Sequence, residues 1–191
     1  MLHALVAGLA LLAVPSDVEE VEEPEPPPPV WEIYVGASGG LRVDQKSGGG
    51  GVMLGVNRKF LSFIRPELMV ATTAFDAPFD YIIQIRVGSR FELPLAGPWK
   101  PYLWAAFAHN HESAMLAVKD DPLGHLFGLS NHGVRHRSGL DLGLGLAYEL
   151  PRLTPWKIAT RIGSRLTFTQ FFGDPYPARY LDLTVTAGIC L

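Results

Sequence analysis

Cysteine and charge are both scarce in this 191-residue chain. The one cysteine is Cys190, and a single thiol excludes an internal disulfide. Charged residues make up 18% of the chain, below the roughly 25% of an ordinary soluble domain. No lysine or arginine precedes Arg42, and from Val30 onward the balance is only about +3. A surplus this small does not indicate a nucleic-acid partner.

A long hydrophobic run is also missing. Residues 4–14 form an apolar stretch that is too short to cross a bilayer as a helix. Small residues follow it, so residues 1–16 are predicted to be a secretory signal peptide, although no lysine or arginine precedes the run. An ordinary N-terminal helix is the alternative. Residues 17–30 are acidic and then proline-rich, which predicts an extended, stiff spacer.

Alternation of apolar and polar residues dominates the rest of the chain. The last stretch, residues 179–191, places Leu181, Leu183, Val185, Ala187, Ile189 and Leu191 on one face and mostly polar or small residues on the other. A period of two is typical of a strand with one apolar face. Seven more stretches repeat it, near residues 31–42, 52–57, 63–73, 81–93, 99–109, 140–150 and 157–168.

These eight stretches predict an all-β fold, an eight-stranded antiparallel up-and-down transmembrane β-barrel over residues 31–191. Each stretch is close to the length that crosses a bilayer when tilted. The faces would be inverted relative to a soluble protein, with apolar side chains towards lipid and polar ones inside. An open sheet would leave backbone groups unpaired in hydrocarbon, so the barrel must close.

An internal repeat indicates the topology. Residues 92–100 and 149–157 share the pattern E-L-P-x-x-x-P-W-K, and both are predicted to be short turns at one rim. Tryptophan prefers the headgroup level, so an aromatic girdle is predicted at that rim. Its members are Trp31, Trp99, Tyr148 and Trp156. The other connections are expected to be longer and extracellular, including a glycine-rich one at residues 44–50 and the longest one at residues 110–137.

The inward-facing charges predict a packed, ion-paired lumen without an open pore, because an eight-stranded interior is just wide enough for side chains to fill. The predicted network comprises Glu32, Arg42, Arg65, Glu67, Arg86, Arg90, Glu92, Asp141, Glu149, Lys157, Arg161, Arg165 and Asp182. The repeat further suggests a register in which Glu149 faces Lys157 and Glu92 faces Lys100. That register would set Gly145 opposite Arg161, Asp141 opposite Arg165 and Gly88 opposite Trp104.

A resemblance to a known family rests on four features: the strand count, the rim tryptophans, the alternation of short turns and long loops, and the terminal strand. The chain resembles the small eight-stranded bacterial outer-membrane barrels of the OmpX and OmpA-membrane-domain type over residues 31–191. The resemblance implies the bacterial outer membrane, outer-membrane lipids as surroundings, and insertion by the assembly machinery through the C-terminal strand. It also implies that both termini and the linker 17–30 are periplasmic. It implies no single activity and no cofactor.

Two groups of residues are weak candidates for chemistry. His109 and His111 share a face and would suit one transition metal, but solvated loop histidines are the favoured interpretation. His136 and Ser138 resemble the His-x-Ser of the lipid A deacylase (PagL) barrels, in which a Ser–His pair cleaves an ester of the outer leaflet. Gly139 follows here where that family has asparagine, and no acid follows on the same face. Cys190 is expected to be a small inward filler.

The favoured function is therefore non-enzymatic, a structural or surface-interaction role through the extracellular loops, with a possible surface ligand at residues 110–137. A lipid A hydrolase, a small-solute channel and a soluble lipocalin-like barrel are the alternatives.

Overall fold

The computed structural model describes residues 30–76, 81–127, 129, 134–151, 158–173 and 179–191. The leader and nearly all of the linker lie outside these ranges. So do Trp156 and Lys157, which were predicted for the girdle and the lumen.

Eight strands form one closed antiparallel barrel, in which each strand pairs with the next and the last pairs with the first. This confirms the predicted fold class. The strands are β1 (Trp31–Arg42), β2 (Ser47–Arg58), β3 (Ile64–Phe75), β4 (Tyr81–Glu92), β5 (Trp99–Ser113), β6 (Arg135–Leu150), β7 (Ala159–Phe172) and β8 (Arg179–Cys190). Two short helices, α1 (Met115–Asp120) and α2 (Pro122–Phe127), connect β5 to β6. Neither they nor any other described helical stretch has the length and apolarity to cross a bilayer.

The strand pairing fixes the geometry of the barrel. Following paired residues once around from Glu32 returns to β1 at Arg42, ten residues further along the chain. Spread over eight strands, an offset of this size tilts the strands by about 40° to the barrel axis. A stretch of ten residues then rises about 25 Å, which is the height of the apolar band of a transmembrane barrel.

The faces are inverted relative to a soluble protein. Leu142 and Leu144 are 65% and 64% exposed on the outside, whereas Arg86 and Asp141 are both 1% exposed on the inside. Surrounding water would favour the opposite arrangement, so the exterior is suited to lipid. A lipocalin-like barrel, with its charges outside, does not fit.

The register differs from the one that the repeat suggested. Glu149 pairs with Arg161, so Gly145 lies opposite Arg165 and Asp141 opposite Thr169. Between β4 and β5 the pairing is also shifted, because Glu92 pairs with Tyr102 and Gly88 with Ala106. Both shifts are by an even number of residues. Each side chain therefore keeps its predicted face, and a two-residue period alone cannot distinguish such registers.

Two predicted loops are shorter than expected. The glycine run at residues 48–51 belongs to β2 and is not a hairpin loop, which leaves a turn of only residues 43–46. A Cβ on Gly51 would lie 1.7 Å from the carbonyl oxygen of Thr72, so the close approach of β2 and β3 requires glycine there. The long connection is also shortened, because β5 continues to Ser113 and β6 begins at Arg135.

Candidate functional sites: the lumen and a histidine cluster at the outer rim

Buried ion pairs lie in the half of the lumen that is nearer to the start of β1. Arg65 Nε lies 2.9 Å from Glu92 Oε1, and Arg161 Nη1 lies 2.5 Å from the same oxygen. Arg161 Nη2 also pairs with half-exposed Glu149 at 2.5 Å. Asn57 Nδ2 donates to Glu32 Oε2 at 2.8 Å. Glu32 Oε2 also lies 3.5 Å from Arg161 Nη1. Ion pairs and one amide hydrogen bond thus join β1, β2, β3, β4, β6 and β7 at the end of the barrel where β1 begins.

A second chain of ion pairs continues upward from this group. Glu67 pairs with Arg90 and also with Arg165, whose Nη1 lies 2.8 Å from Glu67 Oε1. The Arg165 guanidinium lies 4.3 Å from the centre of the Trp104 ring, and Arg90 lies near the ring of Tyr102. Guanidinium groups stacked on aromatic rings therefore line this part of the lumen.

Arg86 joins strands that are not neighbours in the middle of the barrel. It lies on β4, its Nε is 2.8 Å from Asp141 Oδ2 on β6, and its Nη2 is 2.5 Å from Asp182 Oδ2 on β8. All three residues are buried. One arginine therefore balances two carboxylates across the width of the lumen.

The outer end of the lumen contains charges that the sequence analysis assigned to a loop. Tyr180 Oη donates to Glu112 Oε1 at 2.9 Å, and Arg137 Nη1 lies 3.7 Å from the same oxygen. Arg42 stacks over the Phe75 ring at 4.4 Å. Glu112 and Arg137 point inward because β5 and β6 extend beyond their predicted ends. Residues 109–113 are all polar, so alternation of apolar and polar residues gave no signal for this extension.

The inner rim has an aromatic girdle on its outward face. Trp99 and Tyr148 are paired across β5 and β6, and their ring centroids are 4.6 Å apart. Trp31 is 46% exposed, and the Arg58 guanidinium lies 5.3 Å from its ring. These residues lie at the end of the barrel where β1 begins.

A polar cluster interrupts the apolar exterior at the opposite rim. It comprises His109 and His111 on β5 and His136 and Ser138 on β6, all with outward-facing side chains. The pairing sets His109 opposite Ser138 and His111 opposite His136. His109 Nδ1 lies 3.1 Å from Ser138 Oγ, and His109 Nε2 lies 3.4 Å from His136 Nδ1. One nitrogen of each histidine lies within 4.8 Å of the others.

His111 also anchors α2. His111 Nδ1 lies 2.9 Å from the carbonyl oxygen of Leu126 and 3.1 Å from that of His125. Carbonyl oxygens only accept, so Nδ1 carries the proton. Because His111 faces outward, these contacts place α2 against the outer face of β5.

Comparison with solved structures reveals the same architecture. The neisserial surface protein A aligns with a TM-score of 0.57 at 12% identity, covering 84% of this chain and 97% of that one. Ail, the attachment invasion locus protein of Yersinia pestis, aligns at 0.52 and 14%, covering 86% and 100%. The N-terminal barrel of Pseudomonas aeruginosa OprF aligns at 0.50 and 13%, covering 82% and 96%. No protein-family model and no curated protein sequence matches.

The fold is that of the small outer-membrane barrels. The apolar exterior suits the barrel to a bilayer. The histidine cluster can now be placed along the height of this barrel. Ser138 and Tyr148 both face outward on β6 and are ten residues apart, so Ser138 lies about 25 Å above the girdle. The cluster is therefore at the outer edge of the apolar band.

The hydrogen bonds of Ser138 differ from those expected for a His136–Ser138 pair. The imidazole beside Ser138 belongs to His109 on the neighbouring strand, and His136 reaches Ser138 only through His109. Within the described ranges, no carboxylate bonds to any of the three histidines. The spacing in sequence identified Ser138 and His136 correctly as neighbours on one face but did not identify the histidine that contacts the serine.

Proposed function

We propose that this protein is a non-conducting barrel of the bacterial outer membrane that presents the connection between β5 and β6, within the predicted loop 110–137, as a surface for contact with a partner. In this proposal residues 1–16 direct export, and residues 17–30 form a periplasmic spacer. The strand β8 is read by the outer-membrane assembly machinery. The barrel acts as an anchor without enzymatic activity.

The observation that carries the proposal is the exposure of apolar side chains in the connection between β5 and β6. Leu123 and Phe127 are 67% and 65% exposed, and Leu129, which follows them, is 78% exposed. Residues four apart in a helix share a face, so Leu123 and Phe127 form one apolar edge of α2. Exposed apolar patches of this kind mark interaction sites.

The charge of the extracellular connections restricts the class of partner. Ail has been solved with the heparin analogue sucrose octasulfate, but these connections are predominantly acidic. Their acids are Asp44, Asp76, Asp80, Asp120, Asp121 and Asp174, against Lys46 and Lys119. A sulfated polyanion would be repelled. The surface is suited to an apolar partner, with the acidic residues around it.

Adhesion of intact cells tests this proposal. Bacteria expressing the protein should be retained on an octyl-coated surface more strongly than cells without it. Replacing Leu123, Phe127 and Leu129 together by serine should return retention to the background. The matched control is Lys119→Ser with Asp120→Ser, which changes exposed residues of α1 and should leave retention unchanged. Equal retention of the triple variant and the wild type, at equal surface expression, would refute the proposal.

Lipid A hydrolysis, the second candidate function, has one observation in its favour. The 3.1 Å contact between Ser138 Oγ and His109 Nδ1 is a nucleophile–base distance, and it lies at the level of outer-leaflet esters. The pair lacks the carboxylate that orients the base in a triad. Mass spectrometry of lipid A from cells expressing wild type or Ser138→Ala tests this function. Unchanged acylation in both would exclude it.

A further inference from the structure

The outward histidines are the most unusual feature of the exterior. Among the described residues, the strands otherwise present mainly apolar or small side chains to the lipid. Polar groups facing lipid are costly and are retained where they have a function. Three imidazoles on two paired strands, with nitrogen atoms close together, form the donor set that divalent transition metals prefer. We infer that His109, His111 and His136 form a metal site for Zn²⁺ or a similar ion at the outer rim.

The distances support this inference. Two nitrogen ligands at the usual Zn–N length, about 2.0–2.1 Å, lie about 3.3 Å apart around a tetrahedral ion. His109 Nε2 and His136 Nδ1 are 3.4 Å apart. The widest separation in the set is 4.8 Å, which exceeds that spacing by about 1.5 Å. A small rotation of one ring closes this gap.

The hydrogen bonds of two of the rings are compatible with metal binding. His111 donates from Nδ1 to the backbone carbonyl of Leu126, which leaves the lone pair of Nε2 available. A metal-binding histidine commonly donates its other ring N–H to a carbonyl in this way. His109 Nδ1 lies 3.1 Å from Ser138 Oγ. In the metal site Nδ1 would donate to this oxygen, which would leave His109 Nε2 available.

The metal site and the serine hydrolase require different proton positions on His109 and use different residues. In the hydrolase, His109 Nδ1 accepts a proton from Ser138, and His111 has no role. In the metal site, all three histidines and the carbonyls of α2 take part. Three protein ligands leave one position of a tetrahedral ion open. At the outer edge of the apolar band, that position faces water and the phosphate oxygens of lipid headgroups.

Titration with Zn²⁺ alone tests the site, using the full barrel refolded in detergent micelles without a polyhistidine tag. Isothermal titration calorimetry should show one Zn²⁺ per barrel. His111→Ala and His136→Gln should each weaken binding by more than about 100-fold, since each removes one of three ligands. His136 is exposed, so its variant should fold, which heat-modifiable migration on gels verifies. Gln170→Ala, a polar change on the neighbouring strand β7, is the matched control and should leave the affinity unchanged.

Substitution with Co²⁺ supplies a spectroscopic readout. A nitrogen-rich four-coordinate ion should give intense visible absorption bands, and these bands should be absent in folded His111→Ala. The inference is overturned if the wild type binds no stoichiometric Zn²⁺. It is also overturned if folded His111→Ala and His136→Gln both bind as tightly as the wild type. Because Leu123, Phe127 and Leu129 are unchanged in these variants, adhesion to octyl surfaces tests the proposed function separately.

Discussion

Individual side chains in the lumen are matched to their neighbours by size. Gly145 lies beneath the Tyr102 ring, and a Cβ on this glycine would lie 2.1 Å from Tyr102 Cζ. The sequence predicted that glycines would face large side chains. It could not predict which ones, because Gly145 has one neighbour on each adjacent strand and both depend on the register.

The first prediction concerns this contact. Gly145→Ala should destabilise the barrel by about 1–3 kcal/mol, because Tyr102 must move in a packed interior. Gly39→Ala is the matched control, since a Cβ there meets nothing within 4 Å. Urea unfolding in micelles measures both free energies. Equal stability of the two variants would show that the ring has free space to move into.

The second prediction concerns the lipid face. Leu144 is 64% exposed on the outside of β6, about midway between Tyr148 and Ser138. Leu144→Arg should cost about 2–4 kcal/mol, because it places a charge near the middle of the bilayer. Leu144→Ile keeps an apolar side chain there and should be nearly neutral. Unfolding in lipid vesicles measures the difference, and a neutral arginine would mean that this face does not contact hydrocarbon.

At the scale of elements, one ion pair connects the first turn to the last strand. Asp44, in the turn between β1 and β2, accepts hydrogen bonds from the backbone N and the side-chain Nε of Arg179, both at 2.9 Å. These hydrogen bonds hold the pKa of the Asp44 carboxyl below its ordinary value. The turn is thereby joined to β8, next to the seam that closes the barrel.

This pair predicts a dependence of stability on pH. A depressed carboxyl pKa in the folded state stabilises the fold above the ordinary carboxyl pKa, near 4. The stabilisation is lost as the pH falls through the depressed value. The difference in thermal midpoint between wild type and Arg179→Gln should therefore be present at neutral pH and vanish in strong acid. Both groups are exposed, so the difference should be small and should shrink with added salt. A difference that persists unchanged in acid would contradict the role of Asp44.

The pairing of β5 with β6 is what creates the histidine cluster. His109 and His136 are 27 residues apart in sequence and become neighbours only because His111 pairs with His136. The sequence predicted that His109 and His111 share a face, and separately that His136 and Ser138 share one. A shift of two residues that set His136 opposite Ser113 would preserve both faces and move His136 away from His109. Register therefore decides whether the site exists.

For the whole molecule, the buried charges are nearly balanced. The buried arginines in the described strands number seven, and six buried carboxylates together with half-exposed Glu149 face them. Isolated charges would be too costly to bury, but each carboxylate here lies beside a guanidinium. The strands are joined across the lumen as well as around it.

A comparison of variants tests this cross-lumen pairing. Arg86→Met should destabilise the barrel by roughly 3–5 kcal/mol, because Asp141 and Asp182 would remain buried without their cation. Combining it with Asp141→Asn and Asp182→Asn removes all three charges and should recover part of the loss. Urea unfolding in micelles measures both variants. If the triple variant were less stable than Arg86→Met alone, unpaired charge would not be the cause.

The ion-paired lumen also predicts how the barrel behaves in a membrane. Planar bilayers containing the refolded protein should show no steady ion conductance, because stacked guanidinium groups and rings occupy the space between the strands. A known open porin reconstituted in the same way provides the positive control. Stable, uniform conductance steps from the wild type would restore the small-solute channel as the function.

The sequence by itself determined the number of strands and the face on which almost every side chain lies. Alternation with a period of two is a local property, and lipid outside requires apolar residues on one face whatever the register. Only the tertiary structure decided which residues meet across strands. That choice depends on contacts between residues far apart in sequence, such as Tyr102 over Gly145 and Arg86 between Asp141 and Asp182. The ion-pair partners and the histidine cluster follow from it.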